Sequence, residues 1–173
     1  VSKLFFVLFC SFFTLCGGVL HAEELTLDLV KQKVIAAGKL IEQEGAAAIP
    51  KIQDEKGEFR FANGEGYIWI HDLDGVMVMH PIKPSLDGKS IIDIRDTNGF
   101  HLFLAMNELV EKKGAGWVAY HWPKPGEQTS SPKVSYVTLV KKDGKNYVVG
   151  CGMNGATKVD IKTKYPNDPL YEE

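Results

Sequence analysis

The chain has 173 residues, with 20 Lys and Arg against 22 Asp and Glu and a net charge of −2. That length suits one domain of ordinary size. No basic run or electropositive stripe is present, so a nucleic-acid partner is excluded.

The chain opens VSKLFFVLFCSFFTLCGGVLHAEEL. Lys3 forms a positive start, Leu4 to Leu15 is apolar almost throughout, and Ala22 is a small residue suited to cleavage. Residues 1–22 therefore read as a signal peptide, placing the remainder in the periplasm or outside the cell. An uncleaved anchor is the alternative, but a span needs about 20 apolar residues and this run only approaches that. Cys10 and Cys16 lie in the leader, which leaves Cys151 alone. A secreted protein with one cysteine has no internal disulfide and depends on its core.

Thr26 to Glu44 reads as a long helix. Leu27, Val30, Val34, Ala37 and Ile41 recur every three or four residues and make one apolar stripe. Gly45 suits the position just past its end. Ala46 to Gln53 can add a short helix near Pro50. Turns follow at Asp54 to Gly57 and at Asn63 to Gly66.

The stretch from Gly66 to Gly88 organises the rest. Tyr67, Trp69 and His71 share one parity of a strand, and Ile68, Ile70 and Asp72 share the other. Asp72-Leu73-Asp74-Gly75 turns the chain, and Val76 to His80 runs back as a second strand. Pro81 has no N–H with which to continue a ladder. This hairpin forms the floor of a pocket in our reading. A long connection rich in turn residues follows, from Pro81 to Gly99, and such a loop in a compact domain has a function or wraps one.

Phe100 to Lys113 reads as a second helix, ended by Gly114. Three strands then follow, over Gly116 to Trp122, Val134 to Lys141 and Asn146 to Met153. Short turns join them, so they form an antiparallel meander. The domain boundaries are then 23–153, with 154–173 a polar tail or strap. Helices segregated from an antiparallel sheet of about five strands make an α+β domain, and the inserted helix and loop close one face into a cup.

Five segments in this order, GYIWIHDLDG, VMVMHPIKPSLDGKS, DTNGFHLF, GAGWVAYHWPKPGE and SPKVSYVTLV, resemble the single Cache domain of the second type, a PAS-like extracytoplasmic sensor module. The resemblance covers roughly Leu25 to Gly152. It implies a long N-terminal helix packed on a five-stranded antiparallel sheet, with a small-molecule pocket under helix and loop. It also implies a small carboxylate as ligand, and a membrane receptor or sensor kinase as the partner of a free-standing secreted version. The closing strand, VVGCGMN, departs from the family pattern, in which an aromatic often follows the last glycine.

The candidate ligand-binding residues are Tyr67, Trp69, His80, Tyr120, Trp122, Lys133 and Tyr136. His80 ends a strand beside Pro81, where an imidazole can donate to a carboxylate. Tyr67 with Trp69, and Tyr120 with Trp122, share a face of their strands and offer apolar walls with polar tips. Lysine is almost never fully buried alone, so Lys133 in an aromatic cup calls for an anionic partner. Lys83 and Lys124 sit in Pro-rich loops and read as ordinary surface cations.

His71, His80, His101 and His121 lack metal-ligand spacing, so no metal or cofactor is expected. The aspartates fall in turns, and no Gly-x-Ser-x-Gly or phosphate loop appears, so the protein reads as non-catalytic. The remaining alternative is a protein-interaction module with a degenerate pocket.

Overall fold

The computed structural model describes residues 23–171. The signal-peptide expectation falls on 1–22, outside the described residues. Four α-helices are present among them: α1 (Leu27–Glu44), α2 (Ile49–Gln53), α3 (Leu102–Lys113) and α4 (Lys158–Lys164). The strands are β1 (Arg60–Phe61), β2 (Gly66–Tyr67), β3 (Trp69–His71), β4 (Met77–Met79), β5 (Ala115–Pro123), β6 (Ser130–Lys142) and β7 (Lys145–Asn154). One five-stranded antiparallel sheet has the order β4-β3-β7-β6-β5. The fold is the expected α+β arrangement.

Thr26 caps α1, its hydroxyl accepting the Leu29 N–H at 3.2 Å, a bond that satisfies one orphan donor of the first turn. The buried stripe of α1 is Leu27, Val30, Val34, Ala37, Gly38 and Ile41, and it lies on β6 and β7. Burying each of the larger side chains contributes roughly 1.5–3 kcal/mol. Gly45 ends the helix with φ 62° and returns its N–H to Ile41, a conformation that favours glycine.

The sheet separates two cores by strand parity. Trp117, Val134, Tyr136, Val140, Val149 and Cys151 face α1. Trp69, Val118, Tyr120, Val137 and Val148 belong to the opposite core, under α3 and the long loop. The candidate site lies on this second face.

The hairpin strand beginning at Tyr67 is shorter than its alternating pattern implies. Gly66 and Tyr67 pair with Arg60 and Phe61 in a separate two-stranded sheet, and only Trp69–His71 enters the main one. Gly66 permits this pairing, because a Cβ there would lie 2.2 Å from the Phe61 ring. The expected turn is present. Gly75 has φ 75°, and Asp72 accepts the Val76 N–H on Oδ1 at 2.8 Å.

The segment after Asn154 is not simply extended. Thr157 and Asp160 form a reciprocal cap on α4, and the chain then runs parallel to the free edge of β5. Trp117 N–H donates to the Pro169 carbonyl at 2.8 Å, and Tyr171 N–H donates to the Trp117 carbonyl at 2.9 Å. Asp168 accepts both Lys31 Nζ at 2.5 Å and Trp117 Nε1–H at 3.0 Å. The strap thus covers a sheet edge that would otherwise expose unpaired backbone groups.

Candidate functional site

A cavity of about 350 Å³ opens on the α3 side of the sheet, within the usual range for small-molecule pockets of roughly 300–1,000 Å³. Tyr67, Trp69, His80, Tyr120, Trp122 and Lys133 all line it. Strand alternation brings Tyr120 and Trp122 from β5 and Trp69 from β3 to the same face. The loop after β4 supplies the lid, through Ile82, Lys83, Leu86 and Ile94.

Tyr136, the seventh candidate, does not line the cavity. It lies in the core beneath α1, its ring 4.9 Å from that of Trp117. Tyr136 is three residues from Lys133 on one strand, and an odd spacing puts two side chains on opposite faces. The expectation that both would serve one pocket overlooked that parity.

Lys133 is only 3% exposed. Its ammonium makes no hydrogen bond or ion pair among the described residues. It lies over the Tyr67 ring, 5.7 Å from Nζ to the centroid. Arg60 stands 5.8 Å from the same ring, so two cations share its π-face attraction. Burial pulls the Lys133 ammonium down to about 8, which still leaves it charged at neutral pH.

His80 is held in one tautomer. Its Nδ1 accepts the backbone N–H groups of Ile82 at 3.2 Å and Lys83 at 3.1 Å. The proton of the neutral ring therefore sits on Nε2, which remains a donor at the cavity wall. Burial, then the neighbouring Lys83 and Lys133 charges, push the imidazole down to about 4. The His80 backbone N–H donates to Asp87 Oδ1 at 2.8 Å, pinning the Pro81 loop to the strand end.

Tyr120 and Ser135 share a hydrogen bond of 2.7 Å between their hydroxyls, and burial raises the Tyr120 phenol well above its ordinary range. The Tyr67 phenol is likewise pushed up by burial, to about 12. Both stay neutral and can donate or accept. Asp96 is the buried carboxylate of the cavity. Its oxygens accept the backbone N–H groups of Asn98, Phe100 and His121 at 2.7, 3.0 and 2.9 Å. Burial alone would raise this carboxyl, but the three N–H donors outweigh it and hold it below the usual value. Asp96 therefore stitches the loop to β5 and has little capacity left for a ligand.

Two further features escaped the sequence reading. Gly150 and Gly152 lie beneath Trp69 and Lys133, where a Cβ would approach their side chains to 2.5 and 2.4 Å. His71 is fully buried against Phe103, and its Nε2–H donates to Asn107 Oδ1 at 3.0 Å. Asn107 in turn donates to the Asp72 and Leu73 carbonyls, so it ties α3 to the hairpin turn. Burial pushes His71 down to about 4, and it serves packing rather than the cavity. Among the described residues, no group of three or more His, Cys, Asp or Glu side chains could hold a metal.

The Cache domain family matches residues 29–162 of this chain. The chain belongs to the Cache domain family. This Cache domain is 42% identical over 89 residues to the methyl-accepting chemotaxis protein McpP of Pseudomonas putida, a match covering 51% of this chain and 16% of that protein. It is 32% identical over 89 residues to the sensor histidine kinase MctS of Rhizobium johnstonii, covering 51% of the chain and 19% of the kinase. The chain thus spans less than a fifth of the length of these curated relatives. Among solved structures, one described as the structural basis for carboxylic acid recognition by a Cache chemosensory domain matches with a TM-score of 0.60 and 34% identity. That match covers 76% of this chain and 91% of the other. A periplasmic sensor domain of a chemotaxis protein matches with a TM-score of 0.57 and 34% identity, covering 72% and 87%. The similar proteins are therefore sensory. No helix among the described residues is long and apolar enough to cross a membrane.

Proposed function

We propose that this Cache domain is an extracytoplasmic, non-catalytic sensor domain that binds a small organic anion, a short-chain carboxylate, in the cavity over β7. The observation that carries the reading is Lys133: a buried ammonium aimed into an aromatic cup with no carboxylate beside it. Such a charge is costly to bury unless something pairs with it, and a bound anion supplies the pair. The likeness to a domain described as recognising carboxylic acids supports the same reading.

The rest of the cavity matches that ligand. Lys133 offers charge, while His80 Nε2–H and the phenol of Tyr67 offer donors. Trp69 and Trp122 offer flat walls for a short carbon chain. The buried carboxylate, Asp96, is occupied by backbone donors, so the ammonium of an amino acid finds no counter-ion in the buried part. Ser135, the buried hydroxyl beside Lys133, is bonded to Tyr120 and not to a base, which argues against nucleophilic chemistry.

The carboxylate would sit between Lys133 and His80, with its carbon end on Trp69 and Trp122. A ligand of about six heavy atoms gains at most about 9 kcal/mol at the best ligand efficiencies, so micromolar affinity is near the ceiling. Export to the periplasm and coupling to a membrane receptor or sensor kinase complete the proposal.

The test is calorimetry and thermal shift with monocarboxylates of two to five carbons, against the matching amines and amino acids. The reading expects the acids to bind and the amines and amino acids to leave the melt unchanged. An inert response to every acid at millimolar concentration would leave the cavity as the vestige of an interaction module.

A further inference from the structure

The cavity face of β7 is bare at its centre. Val148, Gly150 and Gly152 share one parity there, while Val149 and Cys151 face α1. The two glycines have ordinary extended geometry, since neither is among the residues with positive φ. Backbone freedom is therefore not the reason for glycine here. Space is the reason, as glycine inside a strand marks a close approach by another group.

At Gly152 that group is the side chain of Lys133. A Cβ would lie 2.4 Å from Lys133 Cε and 2.6 Å from Ser135 Oγ. Ser135 is the direct partner of Gly152 across the β6–β7 ladder, and Lys133 pairs with Asn154 two residues on. The lysine stem therefore leaves β6 and crosses β7 in the gap above Gly152. The crossing carries its ammonium towards Tyr67, which belongs to β2 beyond the main sheet. Ser135 cannot simply turn aside, because its hydroxyl is bonded to Tyr120.

We infer that Gly152 is a positioning residue for the binding site: its missing side chain is the channel through which Lys133 crosses β7 and delivers its charge to the cavity. Any Cβ at position 152 forces the stem out of the channel and leaves the cavity without its cation. Gly150 performs the equivalent service for Trp69, whose ring lies 2.5 Å from where a Cβ would be. The assignment of the ammonium as the anion-recognising group rests on the function proposed above; the positioning itself does not.

Gly152→Ala tests it, with three readouts. The Lys133 ammonium, held near 8 by burial, should titrate at least one pH unit higher by heteronuclear NMR once the side chain is displaced towards solvent. Propionate affinity should fall tenfold or more. The change in melting temperature should differ between the wild-type and Lys133→Ala backgrounds, because the obstructing stem is gone in the second. Should Gly152→Ala fail to fold, a folded Gly152→Ala/Lys133→Ala protein still supports the inference. A wild-type Lys133 titration in Gly152→Ala would overturn it. So would an equal change in melting temperature in both backgrounds, or, where Gly152→Ala does not fold, a double variant that does not fold either. Unchanged propionate affinity in Gly152→Ala would overturn it and leave the anion-binding reading standing. If no acid binds the wild type, the functional reading fails, and titration and melting still decide the positioning.

Discussion

The Lys133 ammonium stands 5.7 Å from the centre of the Tyr67 ring, its stem lying over Gly152 of β7, which has no side chain to block it. This pair joins the strand that follows the Pro-rich turn to the start of the hairpin, and it marks the buried end of the cavity. A cation over a ring is attracted by its quadrupole, by roughly 0.5–2 kcal/mol. That is less than a lysine loses on leaving water, and the difference is what an anion can supply.

The first prediction concerns pH and binding. Lys133 in the free domain loses its proton near pH 8, and His80, depressed to about 4, is neutral through the physiological range. Carboxylate affinity should therefore be flat from about pH 5.5 to 7. Above pH 8 it should fall about tenfold per unit as the ammonium empties. Calorimetry in buffers of differing ionisation enthalpy reads both the fall and the proton taken up. An affinity that rises above pH 8 would contradict the assignment of the cation.

A second prediction concerns pH and stability. His71 has a folded value near 4, below its ordinary 6.5. The unfolded chain therefore binds the extra proton between those values, so stability is full above pH 6.5 and is lost as pH falls towards 4. The loss from this residue amounts to as much as about 3 kcal/mol, at about 1.36 kcal/mol per unit. His71→Gln should flatten that part of the stability profile in urea unfolding at pH 7, 5.5 and 4.5.

The strap provides a third. Asp168→Ala removes the acceptor of the Trp117 indole and the partner of Lys31. Trp117 is fully buried, and leaving its N–H unsatisfied should cost roughly 1–3 kcal/mol. Asp168→Asn keeps an acceptor and should lose less. Denaturation of both variants checks the order, and equal losses would mean that the indole bond contributes nothing.

A fourth tests the support under the sheet. Val34 is fully enclosed between α1 and the sheet. Val34→Asp buries an unpaired charge and should cost several kcal/mol, on the order of 3–5. An unchanged melting temperature would mean that α1 is detached in solution.

Much of this was legible in the sequence because it rests on period. The α1 stripe at Leu27, Val30, Val34, Ala37 and Ile41, the α3 run and the meander of long strands all announce themselves by spacing. The two-residue strands Arg60–Phe61 and Gly66–Tyr67 did not, since two residues carry no period. Six of the seven residues singled out line one cavity, because strand alternation carries Tyr120 with Trp122 to a common face. Tyr136 is not among them, because its odd spacing from Lys133 turns it to the other face. The closing of the long loop over one face was legible, but its anchoring was not, because Asp96 reaches His121 across 25 residues and no local pattern records that. The glycines at 150 and 152 did carry a signal: two glycines at the same parity inside an apolar strand mark a face left empty for other side chains. The α4 cap at Thr157 and Asp160 is a readable signal too, in the polar segment after Asn154.

The measurement that tests the central claim most directly is carboxylate binding by Lys133→Met. Methionine keeps most of the stem above Gly152 and deletes the charge. Charge-assisted hydrogen bonds contribute roughly 1.5–3 kcal/mol, so affinity should fall about ten- to a hundredfold. The free variant should be as stable as the wild type or more so. Burial holds the lysine near 8 rather than 10.5, a penalty of up to about 3 kcal/mol that is present at neutral pH and removed with the charge. A folded Lys133→Met protein that binds the same carboxylate with wild-type affinity would contradict the account.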